Sequence, residues 1–137
     1  MKKTLLKFLI VGIFIFPNVS FAQELSEAQI CRAAIGTIMN RDVDDVRIDK
    51  DKKQLKHLSF INFEDKVKWQ FKCYIEKDQV FWATEMGSWR NTLLDPVVDY
   101  DVENKVLSVN VRHTDGSVFT KEFDIEKLMQ KNDINRK

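Results

Sequence analysis

The stretch Val67-Lys68-Trp69-Gln70-Phe71-Lys72-Cys73-Tyr74-Ile75 decides the fold, because it alternates apolar and polar residues over nine positions. Side chains two apart share one face of a strand. Val67, Trp69, Phe71, Cys73 and Ile75 therefore make an apolar face opposite Lys68, Gln70, Lys72 and Tyr74. Period two over this length predicts a half-buried strand. Turn residues bound it on both sides: Glu64-Asp65-Lys66 before it and Glu76-Lys77-Asp78 after it. Lys56–Phe63 and Gln79–Thr84 read as its neighbours.

The same reading extends along the chain. Val46 and Ile48 alternate with Arg47 and Asp49 as a short first strand, ahead of a charged turn at Lys50–Lys53. Met86–Asn91 reads as a longer loop, and Asp95-Pro96 as a turn into Val97–Val102. Val106–His113 follows. Thr114-Asp115-Gly116 is a hairpin signal leading to a last strand, Ser117–Phe123. Short strands joined by short turns pair antiparallel, since parallel pairs need long crossovers. Asp124 is placed to cap a short helix, Ile125–Gln130, and Asn132–Lys137 reads as loose. Upstream, Cys31, Ala34, Ile35 and Ile38 have the i, i+3, i+4, i+7 spacing of one helix face. Ser26 with Gln29 is a capping box at its start, and Asn40 is a stop. The predicted class is α+β. An N-terminal helix packs on a curled antiparallel meander of six to seven strands, followed by a short C-terminal helix. An open sheet curled on the helix and a sheet closing towards a barrel both fit this pattern.

The first 22 residues read as a secretory leader. Lys2, Lys3 and Lys7 precede an apolar run, Phe8–Phe16, which ends at Pro17 and the small-residue exit Ser20-Phe21-Ala22. The run is well short of the roughly 20 residues a membrane span needs. Cleavage is expected after Ala22, leaving one domain over residues 23–137 with no stable membrane anchor, in the bacterial periplasm or outside the cell. The formal charge of the whole chain is +1; without the three leader lysines it becomes −2. The remaining charges are interspersed without a basic stripe, which argues against nucleic acid as a partner.

Both cysteines, Cys31 and Cys73, fall in the exported part, where two thiols most simply form one disulfide. Each belongs to an apolar face, one of a helix and one of a strand. The expected bridge pins helix to sheet. A redox pair is disfavoured, since there is no Cys-x-x-Cys spacing.

Motifs for chemistry are lacking. His57 and His113 are far apart, each within a strand and without the close-spaced partners of a zinc site. Ser88 follows Gly87, but the Gly-x-Ser-x-Gly pattern is missing. Asp42, Asp44 and Asp45 lack the spacing of a calcium loop and read as a polar turn. No cofactor, metal or catalytic residue is expected. The richest candidate surface is the loop carrying Met86, Trp89 and Arg90, residue types that dominate binding interfaces. Trp89 reads either as a lid folded over the sheet or as a binding anchor.

Several strings resemble a group of small exported bacterial proteins with no assigned function. They are Ile30-Cys31-Arg32-Ala33-Ala34-Ile35, Met39-Asn40-Arg41-Asp42, Trp69-x-Phe71-Lys72-Cys73, Val80-Phe81-Trp82-Ala83, Trp89-Arg90 and Asp115-Gly116-Ser117. The resemblance implies a common framework of cysteines and tryptophans, and no activity. The leading functional expectation is a non-catalytic protein that binds an envelope protein or a toxin, in the manner of an inhibitor or immunity protein. A carrier enclosing a small apolar ligand in the curled sheet is the second, and an enzyme without a recognisable motif is the third.

Overall fold

A computed structural model describes Gly12 and residues 25–134. The leader expected over residues 1–22 lies, Gly12 apart, outside them. The chain forms helix α1 (Glu27–Ile38), a 3-10 turn (Val43–Asp45), and strands β1 (Arg47–Asp51), β2 (Lys56–Ile61), β3 (Lys68–Glu76), β4 (Gln79–Thr84), β5 (Val97–Glu103), β6 (Val106–Arg112) and β7 (Val118–Asp124). Helix α2 (Ile125–Ile134) follows directly. The seven strands form one antiparallel sheet in chain order, a pure meander. The fold is α+β, with the sheet curled around α1.

Local chemistry accounts for the ends of α1. The Ser26 side chain accepts from the Gln29 amide at 3.3 Å, satisfying one of the helix's orphan donors. Only half of the predicted capping box forms, because the Gln29 carbonyl oxygen accepts from Arg32 instead. At the other end Asn40 adopts a positive φ of 52°. The Arg41 amide then donates to Gly36 O and the Asn40 amide to Thr37 O. This is a Schellman stop. The predicted hairpin at Asp115-Gly116 is also present: Gly116 has φ 90°, and the His113 amide donates to Ser117 O.

Register fixes which side chains face α1. Leu58 opposes Phe71, Cys73 opposes Trp82, and Ile75 opposes Val80. Val98 links Val80 to Val111, and Leu107 opposes Phe123. These residues line the concave face and enclose Cys31, Ala33, Ala34 and Ile35 of α1. The Cys31–Cys73 disulfide joins helix to sheet at the centre of this core, and both cysteines are fully buried. α1 fills the concave side of the curl.

α1 is buried on every side from Ala28 to Thr37. A second layer, the 3-10 turn and α2, covers the face away from the sheet. Arg32 organises that layer. Its Nε donates to Val43 O and Val46 O, and its Nη1 to Gln29 Oε1 and Leu128 O. Burial pushes the Arg32 guanidinium towards lower proton affinity; the charges of Asp44 and then Asp42 oppose this.

Three expectations shift. Val67 and Trp69 belong by parity to the core-facing set, yet both are exposed. A helix of 12 residues reaches roughly 18 Å, while a strand of nine reaches roughly 30 Å, so α1 cannot cover the first turn of β3. α2 runs four residues beyond the predicted Gln130, and Asp124 Oδ1 caps its start through the Glu126 and Lys127 amides. The stretch expected to be loose is helical as far as Ile134.

Candidate functional site

β2, β4 and β6 end, and β3, β5 and β7 begin, at one rim of the sheet. Among the described residues, ten of the eleven exposed large apolar side chains belong to this rim. They are Ile61, Phe63, Val67 and Trp69 around the β2–β3 turn, Met86, Leu93, Leu94 and Val97 after β4, and Val118 and Phe119 at the start of β7. Val102 lies at the opposite rim. Met86 and Leu93 are each 97% exposed and Leu94 89%. Isolated apolar residues on a surface are ordinary, and a concentration of them is not.

The rim steps down between β4 and β5. These strands pair only through Gln79–Asp99 and Val80–Val98, so the upper half of β4 has no strand on its β5 side. The 85–96 loop fills the step. Its Arg90 amide donates to Trp82 O at 2.9 Å, and the Gly87 amide donates to Thr84 O. Thr92 donates to Asp95 Oδ2 through both backbone and hydroxyl. Those two bonds, hydroxyl first, hold the Asp95 carboxyl below its usual range.

The three loop residues singled out from sequence have different fates. Trp89 folds back onto the convex face of the sheet, edge-on to Tyr74 at 4.8 Å. Tyr74 in turn stacks on Phe81, and Lys72 Nζ lies 4.8 Å from the Trp89 ring centroid. Trp89 is thus a lid. Arg90 lies over Trp82 at 6.0 Å and 3.9 Å from Asp95. Met86 stands clear of the body, as do Leu93 and Leu94, which sequence reasoning passed over.

Gly87 sets the take-off of this loop. A Cβ added there would lie 2.2 Å from Thr84 Oγ1. Gly87→Ala must displace the exposed Thr84 side chain, at a local cost of about 0.5–1.5 kcal/mol. Faster amide exchange confined to residues 84–95 is the expected readout.

Beside the loop, the convex face of β1–β3 carries a groove of about 250 Å³ lined by Asp49, Lys50, His57, Lys68, Gln70 and Glu85. The Glu85 amide extends the β3–β4 ladder by donating to Gln70 O. This aims the side chain across β3 to His57, whose Nδ1 is 2.9 Å from Glu85 Oε2. Lys68 Nζ lies 3.9 Å from Asp49 Oδ2. His57 reads as an ordinary strand residue in sequence, since its partner is 28 positions away and meets it only through the β2–β3–β4 register. His113 belongs to the β6–β7 hairpin, away from the groove. Among the described residues, no group of three or more His, Cys, Asp or Glu is placed to hold a metal ion.

The disulfide points to a location outside the cytoplasm, where such bonds persist. Among the described residues no helix is long and apolar enough to cross a membrane. Compared with known protein families, curated proteins and solved structures, the chain matches none of them.

Proposed function

We propose that this protein is exported to the bacterial periplasm or beyond, loses residues 1–22, and acts without catalysis by binding another protein through the apolar rim. The observation that carries this reading is the gathering of exposed apolar side chains at one rim, with Met86, Leu93 and Leu94 almost wholly in solvent. Leaving such side chains in water forgoes the stabilisation of burying them, about 1.5–3 kcal/mol each. A partner surface recovers it. The buried disulfide and filled core suit a rigid presenter of that surface. Partners of the fitting kind are an envelope enzyme held in check or a delivered toxin neutralised.

Capture from periplasmic extract tests the reading. Met86→Asp with Leu94→Asp places two charges in the contact and should reduce recovery of the captured partner by about thirtyfold, the scale of one hot-spot loss. Lys53→Ala, at the opposite rim, should leave recovery unchanged. Equal recovery with the rim variant would remove the rim as the binding surface. Trp89→Ala is the wrong probe, because it unseats the lid on Tyr74 and disturbs the fold locally.

A further inference from the structure

We propose that the groove between the β1 bulge and Glu85 is a proton-gated subsite for a single carboxylate. Four features carry this. First, the groove's donors are unspent: among the described residues, the Lys50 ammonium, the Gln70 carboxamide and the second ring nitrogen of His57 make no hydrogen bond or ion pair. Second, its two acids are engaged, Glu85 by His57 and Asp49 by Lys68 at longer range. What remains is a set of donors, which suits an anion. Third, β1 shifts register between Ile48 and Lys50, and Lys50 then pairs directly with His57. On the other side His57 opposes Lys72, whose ammonium lies over Trp89. Fourth, the groove's volume falls below the roughly 300–1,000 Å³ of drug-sized sites, so it admits a side chain or a small acid.

Counting charge supplies the gate. Among the lining residues Lys50 and Lys68 balance Asp49 and Glu85 when His57 is neutral, and Lys72 beside His57 adds a positive charge at the edge of the groove. Protonation of His57 adds one further positive charge, which strengthens the attraction for a carboxylate. Imidazole is the side chain that changes charge between pH 5 and 8. The proton also turns the second ring nitrogen from acceptor to donor. Glu85 holds the ring in place through Nδ1 in both states. Because an exported protein shares the acidity of its surroundings, this subsite strengthens as the medium acidifies. The carboxylate can belong to an acidic side chain of the partner proposed above or to a free small acid; only the first of these sources rests on that reading.

Acetate is the probe. Titrating the full mature chain with sodium acetate against sodium chloride, at equal ionic strength, and following His57 and the Gln70 side-chain amide by NMR reads the site directly. Saturable acetate shifts are expected at pH 5.5, with binding about fivefold weaker at pH 7.5, since one unit charge a few ångströms away is worth about that factor in water. Lys50→Ala and Gln70→Ala should each weaken binding at both pH values. His57→Gln should abolish the pH dependence. Shifts that match chloride, or that are equal at the two pH values in the wild type, overturn the proposal. If acetate binds, a short peptide bearing one glutamate and its glutamine counterpart separate the two sources: a partner's side chain predicts tighter binding of the acidic peptide than of acetate. Failure with acetate leaves the rim standing, because the rim is judged by Met86 and Leu94 alone.

Discussion

Replacing Cys31 and Cys73 together by alanine is expected to lower stability by about 4 kcal/mol. The figure follows from loop length. The bond closes a loop across a sequence separation of 42, and opening it returns that loop's entropy to the unfolded chain. In a domain of this size the melting temperature should fall by about 15 °C. The chain-entropy origin makes a second, independent prediction. The unfolded alanine pair is less compact than the cross-linked chain, so the urea m-value should rise. A stability loss with no change in m would place the effect in the native core instead. Accessibility gives a third readout. Both sulfurs are shut off from solvent, so reductant should leave the bond intact in native buffer and open it only in denaturant. Two titratable thiols in the unreduced, denatured wild type would refute the bridge.

That bond was legible from composition and periodicity, and so was most of the framework around it. Alternation in 67–75 marks β3, and the turn residues on either side make its neighbours antiparallel. Asn40 marks the helix stop because few other residues tolerate a positive φ. What the sequence hides has two physical causes. One is length: period two says that Val67 and Trp69 share a face with Phe71, but it does not say that α1 ends before reaching them. The exposed rim is the consequence of that mismatch. The other is separation. His57 and Glu85 meet through the register of three strands, and nothing local in either segment announces the other. Trp89 is the intermediate case. Its loop was readable, and its choice of lid over anchor depends on Tyr74 and Lys72 lying across the sheet from it.

Arg32 is the residue the sequence conceals best, and its loss carries the other large expected effect. It follows Cys31 in a helix, and its neighbours in sequence carry no sign of its partners. In the fold it is only 3% exposed, because the 3-10 turn and α2 close over it. Its guanidinium serves three main-chain carbonyls, those of Val43, Val46 and Leu128, besides the Gln29 side chain. The carbonyls cannot be mutated away with it. Arg32→Ala therefore leaves buried acceptors without donors, at about 1–3 kcal/mol for each that water fails to reach. A total near 4 kcal/mol is expected, within the range for breaking a buried charged network. Arg32→Met separates the contributions, since it fills most of the volume and supplies no donor. If satisfaction of the carbonyls is what matters, the methionine variant should lose nearly as much in urea unfolding as the alanine variant. Recovery of wild-type stability by methionine would instead assign the residue's role to packing. The damage should also be local before it is global. Leu128 O and Val43 O tie α2 and the 3-10 turn to α1, so amides of 43–46 and of α2 should exchange faster while those of β3 and β4 stay protected.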